Sequence, residues 1–235
     1  STVDRIDFSS ETLSSPGNNL PQAKSYSATV SSSSYGYFGC GFFTPPFTYI
    51  DTITRFDLSS ETFSAPGNNL PQARNGLAAV SNNSYGYFGA GYNYPPPSGP
   101  AVYYNTVDRI DFSSETTSAP GNNLPQARNS LAAVSSDSYG YFGGGNSPSY
   151  VSTVDRIDFS NETTSAPGNN LPEVRSGLAA CSSSSYGYFG GGFFSPPTYN
   201  PAGNLNTVDR IDFSNETTSA PGNNLPQARQ RLAAT

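Results

Sequence analysis

Histidine, methionine and tryptophan are absent from this 235-residue sequence, and cysteine occurs only twice. The missing histidine removes the commonest general base and the commonest metal ligand. Charge is scarce too: 12% of residues are charged and the net charge is −6. Average soluble chains carry about 25% charged residues. With no basic surplus to neutralise phosphates, nucleic acid is not an expected partner. No apolar run approaches the ~20 residues of a membrane helix, so membrane insertion is not expected. A secretory signal pattern is also lacking, as a mature or partial chain would lack it. Hydrophobic residues make up 34%, against roughly 45–50% in typical domains. Ser, Thr, Asn, Gly and Pro fill the difference, a composition that taken alone suggests disorder. Aromatics argue the other way: with 16 Tyr and 15 Phe there is apolar area to bury.

The order of the residues settles the matter, because the chain repeats. Val3-Asp4-Arg5-Ile6-Asp7-Phe8 returns from Ile53, Val107, Val154 and Val208. Pro16-Gly17-Asn18-Asn19-Leu20-Pro21 returns at Pro66, Pro120, Pro167 and Pro221. Leu77-Ala78-Ala79-Val80 has counterparts at Tyr26, Leu131, Leu178 and Leu232, and Tyr35-Gly36-Tyr37-Phe38-Gly39 at Tyr85, Tyr139 and Tyr186. The Asp-Arg step recurs after 50, 54, 47 and 54 residues. The segments from the Gly cluster to the next Val-Asp-Arg start are Phe42–Asp51, Tyr92–Asn105, Asn146–Ser152 and Phe193–Asn206, of 10, 14, 7 and 14 residues. Removing them leaves 40 residues each time. The repeat is a fixed unit plus one variable connection, and surface loops tolerate such variation where packed strands do not. Repeats therefore start near residues 1, 51, 105, 152 and 206 of one domain spanning 1–235.

Each unit reads as four short strands. Leu-Ala-Ala-Val is strand a, too short for a stable helix and bounded by Ser-rich turns. Tyr-Gly-Tyr-Phe-Gly is strand b, Val-Asp-Arg-Ile-Asp-Phe strand c and Glu-Thr-Thr-Ser strand d. Ser/Asn segments make the a–b turn, Ser/Asn-Glu-Thr the c–d turn, and Pro-Gly-Asn-Asn leads back to the next strand a. Four short strands per ~50 residues is the pattern of a β-propeller blade. The expected fold is all-β: a propeller of four-stranded blades, five in number.

Leu70–Arg74, the apolar strand after it, Tyr139–Gly145 and Val-Asp-Arg-Ile-Asp-Phe resemble kelch repeats. In that family an Arg precedes strand a, a Gly pair ends strand b, and a Tyr-Asp-like step lies in strand c. Kelch units usually carry a late Trp, so the resemblance is to a divergent, Trp-less, kelch-like version. The wording is also similar to repeats in large structural proteins of aquatic phages and uncultured microbes. Strands c, d and a occur five times in the sequence but strand b only four. Three readings follow: a window of a longer repeat array, which the sequence favours; a ring with one three-stranded blade; or a ring completed by a strand from a neighbouring chain, building a polymer.

Catalysis is not expected. Of 17 acidic residues, 14 occupy repeated positions, leaving Asp51, Asp137 and Glu173. Of 11 basic residues only Arg231 is unique. An active site needs an asymmetric set of groups, whereas residues copied around a ring serve the ring. Asp4, Arg5, Asp7, Glu11 and their copies are expected to pair between strands or blades. Carboxylates at Asp-x-x-Asp suit calcium chemically, but no dedicated loop pattern accompanies them. Gly143-Gly144-Gly145 lacks the Lys and following helix of a phosphate loop and reads as close packing or a bulge. Cys40 and Cys181 fall at unlike repeat positions without further zinc ligands, so small buried thiols are expected. No metal and no cofactor are expected.

The variable b–c loops are the candidate binding residues: Phe42, Phe43 and Phe47; Tyr92, Tyr94, Tyr103 and Tyr104; Tyr150; Phe193, Phe194 and Tyr199. In a propeller they emerge on one face, stiffened by Pro. Two readings stand: exposed aromatics for a protein interface or sugar stacking, or local caps on the blades. Asn82, Asn161 and Asn215 open Asn-x-Ser/Thr triplets in turns and are candidate N-glycosylation sites. The expectation is a non-enzymatic structural propeller, extracellular or on a virion surface. Its partners would be copies of itself or other fibre subunits. A carbohydrate-binding adhesin with glycan partners is the alternative, and a propeller enzyme ranks far lower.

Overall fold

Strands are the regular elements of the described residues, 2–43, 47–94, 99–195 and 203–233, in a computed structural model. The chain opens with β1 (Arg5–Asp7) and β2 (Thr12–Ser14), an antiparallel pair. The first complete sheet follows: β3 (Ala28–Ser31), β4 (Tyr35–Phe43), β5 (Thr48–Asp57) and β6 (Thr62–Ser64). In the second, β7 (Ala78–Ser81) and β8 (Tyr85–Gly89) lead through a small hairpin, β9 (Tyr92–Asn93) and β10 (Val102–Tyr103). It ends with β11 (Val107–Asp111) and β12 (Thr117–Ser118). The third has β13 (Ala132–Ser135), β14 (Tyr139–Gly143), the hairpin β15 (Asn146–Ser147) and β16 (Ser149–Tyr150), then β17 (Val154–Asp158) and β18 (Thr164–Ser165). The fourth has β19 (Ala179–Ser182), β20 (Tyr186–Gly190), the hairpin β21 (Phe193–Phe194) and β22 (Gly203–Asn204), then β23 (Val208–Asp212) and β24 (Thr218–Ser219). Each complete sheet is a four-stranded antiparallel meander in the order a-b-c-d. The protein is all-β, with a repeated sheet architecture.

Alternation within strand b explains how the sheets stack. Tyr141 lies opposite Arg156, Gly140 opposite Ile157 and Phe142 opposite Asp155. A Cβ on Gly140 would lie 2.5 Å from Val80 Cγ2 of the preceding sheet. One on Gly143 would lie 2.7 Å from Phe189 of the next. Only glycine allows that approach, and it lets Val80, Phe142 and Ile157 close one intersheet core with Tyr87. The same core recurs with Val30, Phe88 and Ile110, and with Val134, Phe189 and Ile211. Each such fully buried side chain contributes about 1.5–3 kcal/mol before entropy is charged. Tyr37, Tyr87 and Tyr141 stack on Phe112, Phe159 and Phe213 of the following sheet, at 5.3, 5.4 and 5.5 Å. The first strands of the four complete sheets, β3, β7, β13 and β19, lie side by side in that order.

Two details differ from the sequence reading. The b–c connections are not irregular throughout. In the first sheet β4 and β5 continue pairing past a register shift at Gly39/Gly41, and the other connections form their own hairpins. The shift occurs where Cys40, Ala90, Gly144 and Gly191 take left-handed φ of 57, 65, 67 and 65°. This is the bulge anticipated from the glycine cluster. The fifth copy of strand a, Leu232 onward, forms no strand over Leu232 and Ala233.

Candidate functional site

The repeated charges form three separate sets. The first is buried within the second, third and fourth complete sheets. Arg74 Nη1 lies 2.7 Å from Asp108 Oδ2, Arg128 Nη2 lies 2.9 Å from Asp155 Oδ2, and Arg175 pairs likewise with Asp209. All three Arg side chains are fully buried. Arg128 Nη2 also donates to the Phe142 carbonyl at 2.9 Å. Desolvation pushes the Arg128 and Arg175 guanidinium groups below the usual Arg range and the Asp155 and Asp209 carboxyls above theirs, partly offset by the mutual attraction.

The second set joins consecutive sheets. Arg5 pairs with Glu61 at 2.5 Å, Arg55 with Glu115 at 2.9 Å, Arg109 with Glu162 at 2.7 Å and Arg156 with Glu216 at 2.8 Å. Glu115, Glu162 and Glu216 also accept the hydroxyls of Tyr37, Tyr87 and Tyr141, each at 3.0 Å. Burial, with the neighbouring carboxylate, raises those phenols well above their ordinary range. The Arg55, Arg109 and Arg156 guanidiniums lie over Tyr35, Tyr85 and Tyr139 at 4.6–4.7 Å.

The third set caps the c–d turns. Asp57 Oδ1 accepts from Ser59 N at 2.8 Å, Ser59 Oγ at 2.7 Å and Ser60 N at 3.0 Å. These bonds hold the Asp57 carboxyl down at about 2, and the same arrangement does so for Asp7. The two acidic residues of Asp-x-x-Asp thus have different work, one pairing with a buried Arg and one capping a turn. Among the described residues no three metal-ligating side chains gather.

The loop aromatics pack first against one another. Phe42 meets Phe47 at 5.7 Å and Tyr49 at 6.0 Å. Tyr49 then meets Tyr92 of the next repeat edge-on at 6.1 Å. Tyr92 contacts Tyr94 at 5.5 Å and Tyr103 at 6.1 Å. Tyr150 reaches Phe193 and Phe194 of the following repeat at 6.0 and 5.9 Å. Burial raises the Tyr49 phenol to about 12 and raises that of Tyr103. Phe43 ends β4 half-buried, and Tyr104 is half-buried with its backbone bonded to Gly91 and Arg128. Phe47 and Tyr94 stay open, 82% and 48% exposed. Tyr199 lies outside the described residues.

Bridges Ser25↔Phe42, Asn75↔Tyr92, Asn129↔Asn146 and Ser176↔Phe193 tie the connections to the residue just before a second feature, which sequence reasoning missed. Tyr26, Gly76, Ser130, Gly177 and Arg231 share one repeat position and left-handed φ of 54–63°. Each later member's N–H donates to the carbonyl of the one before, at 3.1, 2.7, 2.8 and 2.7 Å. The ladder runs from the first repeat to the fifth and lines a cavity of about 520 Å³. At its end the Arg231 guanidinium lies 5.3 Å from the Tyr26 ring centroid. Residue type gave no signal here, since Tyr, Gly, Ser, Gly and Arg have no side chain in common. The shared signal was position, two residues ahead of β3, β7, β13 and β19 and at the matching place in the fifth repeat. At the other end of these strands a polar cavity of about 460 Å³ is lined by Ser31, Ser81, Asn83, Asp137 and their neighbours.

The candidate glycosylation residues lie in turns. Asn82 Oδ1 accepts from Ser84 N and Tyr85 N, both at 2.8 Å. Asn161 and Asn215 are exposed, and their Oδ1 atoms accept from Thr163 and Thr217 within the triplet. Both cysteines are free thiols, Cys40 buried as expected but Cys181 only half-buried. Burial pushes the Cys40 thiol up to about 11, so it is protonated and unreactive at neutral pH. No protein-family model and no curated protein matches the chain.

Proposed function

We propose that the sheets are blades of a five-bladed, kelch-like β-propeller with a structural rather than catalytic role. It would serve as a repeating component of an extracellular or virion-exposed fibre or appendage. The carrying observation is the ladder from Tyr26 to Arg231, whose last member returns to the ring of its first. A straight stack would separate those ends by the width of several sheets, each about 10 Å from the next. The structural role is supported by the charges: most repeated ionic groups are already engaged in holding one strand, turn or sheet to another. Ring closure is tested with Tyr26→Cys and Arg231→Cys together in a Cys181→Val background, treated with a short thiol cross-linker. Intramolecular cross-linking is expected, and its failure would remove the propeller reading. Electron microscopy of the native particle tests the fibre role, with the chain expected as a repeated ring-shaped density.

The exposed Phe47 and Tyr94 favour one second reading, a carbohydrate-binding adhesin, because aromatic faces left open suit sugar stacking. On a glycan array that reading expects a signal that Tyr94→Ser with Phe194→Ser abolishes. Silence across the array counts against it.

A further inference from the structure

The composition leaves tyrosine, with the half-buried thiol of Cys181, as the side chains open to one-electron oxidation. Tryptophan, methionine and histidine are absent. Cys40 is buried and protonated at neutral pH. Four tyrosines gather where the first two b–c connections meet. Tyr49 comes from β5, Tyr92 from β9 and Tyr103 from β10, and Tyr94 lies just past β9. Tyr94 is 48% exposed, and the other three are half-buried. Tyr92 is the hub: its ring meets Tyr94 at 5.5 Å, Tyr103 at 6.1 Å and, edge-on, Tyr49 of the preceding repeat at 6.1 Å. The Tyr92 side chain also hydrogen-bonds the Tyr49 phenol, which brings the hydroxyl ends of the two rings together. The tyrosine pairs within strand b differ. Tyr35–Tyr37, Tyr85–Tyr87 and Tyr139–Tyr141 stand at 6.3 Å. Their inner members are fully buried and commit their hydroxyls to Glu115, Glu162 and Glu216.

We propose that Tyr49 and Tyr92 form an oxidative cross-linking site, where a carbon–carbon bond between their rings staples the connections of the first two repeats. The oxidant is hydrogen peroxide, acting through a peroxidase that removes one electron at a time. Each phenol gives up one electron and its hydroxyl proton. The two radicals join at the carbons ortho to oxygen. The hydrogen on each joined carbon then moves to its own oxygen, which restores both phenols. Peroxide accepts the two electrons and two protons and leaves as two waters. Tyr94 is the point of entry: it is exposed, and the Tyr92 ring 5.5 Å away refills it. Tyr49 and Tyr92 are already held ring to ring with their phenols bonded, and such positioning favours this pair over tyrosines that must first meet. The inference goes beyond the structural role. It needs two neighbouring connections, and neither ring closure nor a fibre.

The experiment treats the whole chain, at high dilution, with a peroxidase and limiting hydrogen peroxide, digests it with trypsin and maps linked peptides by mass spectrometry. Cleavage after Lys24, Arg55, Arg74 and Arg109 puts Tyr49 in peptide 25–55 and Tyr92 in peptide 75–109. The expected product is these two peptides joined, lighter than their sum by two hydrogens, from a chain that remains a monomer. Tyr49→Phe and Tyr92→Phe keep the ring packing, and each should lower that product about tenfold or more, because proximity selects the pair. Tyr150→Phe should leave it unchanged. The linked chain should also melt at a higher temperature than the untreated one, since joining positions 49 and 92 restricts the unfolded chain. Links found only between molecules, links confined to the strand-b tyrosines, or a product that survives Tyr92→Phe overturns the proposal. An unchanged melting temperature of the linked chain overturns it as well, because the bond would then staple nothing.

Discussion

The first complete sheet and the third have the same strand order and register, yet they neutralise a buried cation differently. In the third, Arg128 pairs with Asp155. In the first, both partners differ: Lys24 stands at the Arg position and Thr54 at the Asp position. Lys24 Nζ donates instead to Thr54 Oγ1 at 3.2 Å and to the Phe38 and Thr52 carbonyls at 3.4 and 3.5 Å. Desolvation pulls its ammonium below the usual Lys range. The difference teaches that the fold does not require the ion pair in every sheet. It requires that a buried ionised group keep either a counter-charge or hydrogen-bond partners, which a buried Asp facing a neutral apolar side chain would lose.

The largest expected effect comes from breaking the pair in the third sheet. Arg128→Ala leaves Asp155 buried without its partner and should cost about 3–5 kcal/mol in urea unfolding. Next is the intersheet approach: Gly140→Ala places a Cβ against Val80 and should cost about 1–3 kcal/mol, whereas Gly190→Ala, whose Cβ would meet nothing nearer than 3.8 Å, should be nearly silent by the same measurement. Exchanging the first sheet's chemistry is a smaller effect with a sharper signature. Thr54→Asp and Lys24→Arg together should be more stable than the sum of the single changes predicts, by about 0.5–3 kcal/mol of coupling. Strict additivity would mean that the two positions do not communicate.

The smallest effects are in pH dependence. The folded Lys24 value is lowered, so stability rises as pH climbs from that value toward 10.5. Relative to Lys24→Met, the wild-type chain should gain thermal stability across that alkaline window. The turn-capping Asp7 and Asp57 behave oppositely at the acid end. Their folded values are lowered to about 2 from 3.8, so their contribution is whole above the higher value and is lost as pH falls through the lower. Asp57→Asn should flatten that acid limb in thermal scans between pH 5 and 2.

Much of this was legible in the residues. The repeated Tyr-Gly-Tyr-Phe-Gly and Val-Asp-Arg-Ile-Asp segments located strands b and c, because alternation fixes which side chains share a face. Glycines at positions such as 140 and 143 pointed to close packing, and the repeated charges to pairing. The sequence did not reveal which charge meets which. Asp108 and Asp111 look equivalent in the chain, but one faces buried Arg74 and the other its own turn. Nor could it separate open loop aromatics from packed ones: Phe42 and Phe47 look alike until the hairpin turns one inward and leaves the other 82% exposed.

By itself the sequence determined the strands, their order within each unit and the place where length can vary, since these depend on local periodicity and turn chemistry. The tertiary structure alone decided the partners across sheets. It produced the left-handed ladder from Tyr26 to Arg231 and the burial of three arginines. Those features arise when residues far apart in the chain are brought side by side, and a repeat shows which positions recur without showing which of them meet.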